Sequence, residues 1–313
     1  MVKSIDSIFV YPVRRIILAS DCPKRISLGE DLYIQSELAL TQMPYDKQAQ
    51  VLLGTLESKY ITDSELFISK ATSIVPNGEL DELDRLMGLA NIFLWCLWSQ
   101  IDHAAYAEQA FLFFRYRDHW VCAKNFRPIF CAKSDGSQGA STVTLKAIKE
   151  ASALFRIIAK GGEATKYEVT ALRSDNTRIS RAIYTIQRAI QNHDLAMRVA
   201  DVCNVLEILL SSTHGEISHQ IAERCALIVG RSSEEKISIY RNMKQIYAIR
   251  SRVVHGGTWK EKNLDDIRRY SKMSDDILRY VFLACLTNDK LYKALSSSDG
   301  ALDEYFLTLL FRK

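Results

Sequence analysis

The stretch Asp194–Ser212, DLAMRVADVCNVLEILLSS, decides how the second half of this chain is built. Leu195, Val199, Val202, Val205, Leu206, Ile208, Leu209 and Leu210 leave almost no polar face at helical spacing, so the segment reads as a helix enclosed by others. Its neighbours in sequence can enclose it. Ile179, Ile183, Ile186 and Ile190 form one apolar stripe upstream, with Arg178, Arg181 and Arg188 beside it. Downstream, Glu216 to Val229 reads as a helix ended by Gly230, Glu234 to His255 as another, and a long pair runs on to Phe311. Consecutive amphipathic helices with short links bury their stripes best as antiparallel neighbours, which predicts a bundle of about four or five helices.

The first half has a different character. Ser7 to Ala19, Ile26 to Ile34, Tyr60 to Val75 and Tyr106 to Phe130 are rich in β-branched and aromatic residues and read as strands. Glu79-Leu80-Asp81-Glu82-Leu83 opens a helix through Leu97, with its acidic residues at the positive end. Ser134 to Gly139 reads as a loop, and Leu145 to Ile158 as a helix stopped at Gly161-Gly162. The expected fold class is therefore α+β. A mixed strand and helix region over 1–140 precedes an all-α helical-bundle domain over 141–313.

With 48% hydrophobic and 25% charged residues in 313, the chain has the composition of a folded protein with a sizeable core. Its longest apolar stretch, Leu89 to Trp98, is broken by Asn91 and is too short to span a bilayer, so no membrane partner is expected. The opening Met1-Val2-Lys3-Ser4-Ile5-Asp6 lacks a secretory pattern, which predicts a cytoplasmic location. Seven cysteines are scattered without paired short spacing, so reduced core thiols are expected, with no zinc site and no cofactor. His214 and His219 lie near acidic residues but have no third ligand at sensible spacing. Net charge is only +4, yet its distribution is uneven: 22 basic against 17 acidic residues from Ala171 onward, and 19 against 20 before it.

One helix end concentrates the candidate chemistry. Tyr240, Met243, Ile246, Tyr247, Val253 and Val254 mark the apolar stripe of the helix from Glu234 to His255, and Arg250 falls inside it, in phase with Met243. A cation so placed needs a carboxylate or a phosphate. His255 closes the last turn, where the helix dipole favours a cation and Gly256-Gly257 supplies the stop.

Four ordered blocks carry a resemblance. They are Arg178-Ile179-Ser180-Arg181-Ala182-Ile183, Leu206-Glu207-Ile208-Leu209-Leu210, the run Glu216 to Arg224, and Tyr247-Ala248-Ile249-Arg250-Ser251-Arg252-Val253-Val254-His255-Gly256. Together they resemble the Apea-like branch of the HEPN superfamily. The resemblance implies an all-helical domain that dimerises and brings two motifs across a cleft where RNA is cut without metal. It also implies a role in bacterial anti-phage defence or a toxin system, with a phage-derived trigger or partner protein and a sensing role for the region preceding the bundle. Carried over by residue, Arg250 and His255 are the motif's two named positions and Ser251 its polar follower, while Arg252 and Arg181 are expected to bind substrate.

Such a cleavage needs a base for the ribose 2′-OH, an acid for the leaving 5′ oxygen and a cation for the phosphorane. Histidine serves the proton steps and arginine grips two phosphate oxygens. Five residues correspond to about 140° of rotation on an ideal helix, so Arg250 and His255 do not share a face. Either the helix ends near His255 or the two groups come from different protomers. The structural alternative is that Arg250 pairs with Glu207 and His255 is a C-terminal cap. The corresponding functional alternative is a non-catalytic RNA- or protein-binding scaffold or a regulatory partner. The aromatic run from Tyr106 to Phe126, interleaved with Arg115, Arg117 and Lys124, suits base stacking or alternating strand packing.

Overall fold

The computed structural model describes residues 5–36, 53–74, 77–116, 119–161, 176–212, 215–260 and 263–311. His214, Arg117, Val75 and Gly162, named above, lie outside them. The chain forms two compact units, Met1–Cys131 with Gln138–Tyr167, and Ala132–Ser137 with Glu168–Lys313. The fold class is α+β.

The first unit is organised around β1 (Ile5–Val13), whose apolar residues alternate between two covered faces. It pairs antiparallel with β5 (Leu66–Ile74) on one side and β6 (Tyr106–Tyr116) on the other. The hairpin β3 (Arg25–Gly29) and β4 (Leu32–Gln35) and the edge strand β7 (His119–Phe130) complete a six-stranded sheet in the order β3-β4-β5-β1-β6-β7. Two short strands, β2 (Ile16–Leu18) and β8 (Ser141–Val143), pair in parallel. One face of the sheet is closed by α1 (Thr55–Thr62), where Tyr60 and Ile61 join Val10, Phe67, Phe111 and Phe113. The helices α2 (Glu79–Trp98) and α3 (Leu145–Gly161) pack on each other, with Phe93 edge-on to Phe155 at 6.1 Å.

Two expectations are corrected here. The segment Tyr60 to Val75 is not one strand: it begins in α1, because Tyr60 is recruited into the core, where its hydroxyl donates to Pro12 O at 3.3 Å and accepts the Glu108 N–H at 2.9 Å. Tertiary packing overrides the local preference of its β-favouring residues. The expected boundary at 140/141 falls inside the first unit, since β8 pairs with β2 and α3 packs on α2.

In the second unit the helices are α4 (Arg178–Gln191), α5 (Leu195–Leu210), α6 (Ile217–Val229), α7 (Ser233–Val254), α8 (Leu264–Thr287), α9 (Asp289–Leu295) and α10 (Asp299–Leu310). Side-chain caps start α4 at Thr177, α5 at Asp194 and α7 at Ser232, each accepting a backbone N–H three residues on. The expected C-terminal pair is three helices, because Asn288 and Ser298 cap new starts. As its composition predicts, α5 is the buried centre and packs against α4, α6, α7 and α8. Among the described residues, no helix is long and apolar enough to cross a membrane.

Burying α5 creates two polar problems. Arg198, within the apolar run, is fully enclosed; its Nε and Nη2 donate to Asp275 Oδ1 of α8 at 3.1 and 2.7 Å, and its Nη1 to Ala132 O at 2.6 Å. The last carbonyls of α5, which a helix cannot satisfy itself, are taken by guanidinium groups from its neighbours. Arg178 Nη1 donates to Ile208 O and Ser211 O at 2.9 and 2.7 Å, and Arg224 Nη1 to Leu210 O at 2.5 Å. Both arginines are held in turn by carboxylates of α10, Asp299 and Asp303.

Asp275→Ala would strand Arg198 as a buried, uncompensated charge, and should lower the unfolding free energy by about 3–5 kcal/mol in urea titrations. Asp303 supplies a pH signature. Burial raises its carboxyl, but hydrogen bonds from Ser212 and Arg224 and the charges of Arg224 and Arg178 outweigh that and hold it below the usual carboxylate range. A carboxyl lowered by folding contributes stability that is whole above the unfolded value of about 4 and is lost as pH falls through the folded one. Acid should therefore lower the urea midpoint of the wild type on passing below that value. Asp303→Asn should remove part of this pH dependence.

Candidate active site

The site forms where α7 crosses α5 and α6. Met243, Ile246, Tyr247 and Ile249 bury one side of α7 against these helices, which turns Lys244, Ala248 and Ser251 outward and leaves Arg250 at the border. Val254, counted in the apolar stripe, is exposed at the helix end. Arg250 and Ser251 line a cavity of about 360 Å³ together with Glu207, Ser218, Lys244 and Tyr247.

Arg250 Nη2 lies 3.4 Å from Glu207 Oε1, with the two side chains 31% and 20% exposed. Its Nε is buried and has no hydrogen-bond partner among the described residues. The same Glu207 oxygen accepts the Tyr247 hydroxyl at 3.2 Å. Burial, then the neighbouring Cys203, Glu207 and Cys225, hold the Tyr247 phenol far above its usual range, so it acts there as a donor. Lys244 Nζ donates to Ser218 Oγ at 2.9 Å. Further along the same α6–α7 seam, His219 Nδ1 is 2.8 Å from the Tyr240 hydroxyl.

His255 stands just beyond α7. The Gly257 N–H reaches Arg252 O at 2.8 Å and the Gly256 N–H reaches Val253 O at 3.1 Å, with Gly256 at φ +68°, which closes the helix in a Schellman turn. His255 is the C-cap, and its ring is exposed. The expected site residues therefore separate. Arg250 and Ser251 share the cavity; His255 does not line it. Arg252 is exposed and lies over the Trp259 ring at 5.6 Å, and neither it nor Arg181 on α4 lines the cavity.

Both parts of the structural alternative are present as contacts: the Arg250–Glu207 pair and the His255 cap. Glu223 and Arg224, which close the third block of the resemblance, have different partners. Arg224 turns inward to Leu210 O and Asp303, and Glu223 lies 3.9 Å from His219 Nε2. Lys244 and Ser218 were not singled out from sequence, although Lys244, Tyr247 and Ser251 recur at three- and four-residue spacing, a signal that they share a helix face. Cys203, Cys225 and Cys285 are buried free thiols, and burial raises all three above their usual range. In the aromatic run, Phe111, Phe113 and Phe114 are buried, within a stretch of β6 covered on both faces; Tyr116 and Phe126 are exposed. No protein family, curated protein or solved structure matches this chain.

The long, partly exposed Arg250–Glu207 contact belongs with ion pairs worth about 0–1 kcal/mol. Arg250→Met should thus lower unfolding free energy by no more than about 1 kcal/mol in urea titrations. A loss of several kcal/mol would identify Arg250 as a structural cation.

Proposed function

We propose that the chain is a metal-independent endoribonuclease of the HEPN type, acting as a cytoplasmic homodimer in anti-phage defence or a toxin-like system. The observation that carries this reading is that Arg250 and Ser251, at the motif positions, face an open cavity between helices of the bundle instead of the packed core. The four blocks of sequence resemblance supply the reaction class.

In this reading the 2′ oxygen of RNA attacks the adjacent phosphorus and the bond to the 5′ oxygen breaks, leaving a 2′,3′-cyclic phosphate and a free 5′-OH. A base takes the 2′ proton and an acid supplies one to the departing oxygen; both steps suit imidazole. The guanidinium stabilises the charge on the phosphorane through two hydrogen bonds. Arg250 and His255 leave the helix in different directions, and a second copy of the chain would set the imidazole of one bundle beside the guanidinium of the other. Arg252 and Arg181 would then contact the flanking RNA backbone, and the first unit would sense the trigger.

The Arg250–Glu207 pair favours a second reading, a bundle that binds RNA or a protein partner without cleaving it. Incubation with labelled RNA in EDTA separates the two. The ribonuclease reading expects cleavage that His255→Ala lowers by at least about 100-fold, the scale of a lost general acid–base, while size-exclusion chromatography shows an unchanged dimer. Undiminished cleavage by the variant, or RNA binding with no cleavage by the wild type, would reject it.

A further inference from the structure

Lys244 determines the charge of the cavity. Arg250 and Glu207 face each other across 3.4 Å and cancel, so the net positive charge among the lining residues comes from Lys244. No carboxylate pairs with it among the described residues, and its ammonium is steadied at the wall by Ser218 Oγ at 2.9 Å. Arg250 meanwhile keeps one buried donor, its Nε, unused. A cavity of about 360 Å³ with two cations, three hydroxyl-bearing side chains (Ser218, Tyr247 and Ser251) and one carboxylate suits a small oxyanion, with space left over for part of an attached group.

We infer that this cavity is a phosphate seat for RNA in which Lys244 is the second cation, and that Glu207 is the internal anion a phosphodiester displaces from Arg250. The inference rests on the ribonuclease reading for the identity of the ligand. The exchange conserves charge: one carboxylate leaves the guanidinium and one phosphodiester replaces it. Lys244 makes the exchange directional, because it attracts the incoming phosphate whether or not Glu207 has moved. Without Lys244 the cavity is neutral while Arg250 and Glu207 remain paired, and an approaching anion loses its long-range attraction.

The test uses the full-length protein and a 2′-O-methyl RNA oligonucleotide, which has no free 2′-OH and so reports binding apart from cleavage. Lys244→Met should weaken binding about tenfold at moderate salt and flatten the slope of log K against log salt by about 0.7, the loss of one phosphate contact on a single strand. Lys244→Arg should restore both. Glu207→Gln, which keeps a hydrogen-bond acceptor for Tyr247 but removes the competing charge, should bind several-fold tighter than wild type. Because Lys244 is exposed, its replacement does not threaten the fold.

Wild-type affinity and salt slope in Lys244→Met would overturn the inference, as would failure of the wild type to bind the oligonucleotide. The two proposals fail separately. Lys244-dependent binding without cleavage of unmodified RNA keeps the seat and rejects the nuclease. His255-dependent cleavage with Lys244-independent binding keeps the nuclease and rejects the seat.

Discussion

A buried guanidinium is the constraint around which the second unit is arranged. Arg198 sits in the first turn of the enclosed helix α5, where an unpaired cation would cost several kcal/mol. Asp275 answers it from α8, and Arg279, one turn further along α8, takes the other carboxylate oxygen at 2.5 Å. The carbonyl of Ala132 takes a further donor, so a segment that precedes the bundle by more than forty residues in sequence is tied to its centre. These contacts set α5 against α8 in one register. Hydrophobic burial alone is non-directional and would tolerate several.

From that register follows the geometry at the other end of α5. Its terminal carbonyls are enclosed, so Arg178 and Arg224 must reach in to satisfy them, and Asp299 and Asp303 hold those arginines in place. Glu207 lies in the same last stretch of α5 but on the side turned to α7, which is why it meets Arg250 and Tyr247 instead of the capping arginines. The cavity is thus bounded by a helix held fixed at both ends. Positions of groups built on such elements are better defined than those on loops.

What could be read from sequence follows the range of the interaction involved. The enclosed helix Leu195–Leu210 and its start at Asp194 were legible because periodicity and capping are local. The stop after His255 was legible for the same reason, since a glycine pair matches the two hydrogen bonds of a Schellman turn. Tyr60 misled, because its role is set by Phe111 and by the Pro12 carbonyl, which no local pattern reveals. Arg198 was not singled out, because nothing local marks its partner, which is 77 residues away. Of the candidate site, the arginine and the opposing Glu207 were legible from helical phase, and Ser251 only through the family resemblance. Lys244 and Ser218 were not, because their meeting depends on how α6 crosses α7.

The Arg250–Glu207 contact is informative through its weakness. A carboxylate and a guanidinium at optimal geometry form two short parallel hydrogen bonds; here a single 3.4 Å approach leaves the buried Nε unused. Glu207 also accepts from Tyr247, whose hydroxyl would keep a partner from the carboxylate after Arg250 had turned away. Separating the pair therefore costs little, while leaving Arg250 with neither carboxylate nor phosphate would cost more, since part of its guanidinium is buried. A cation in that position is stable when unoccupied yet can exchange its anion at small cost. A structural ion pair calls for the opposite arrangement, with every guanidinium nitrogen matched, as at Arg198. Within one bundle the two arginines show that contrast, and it is the incompletely matched one that opens to solvent.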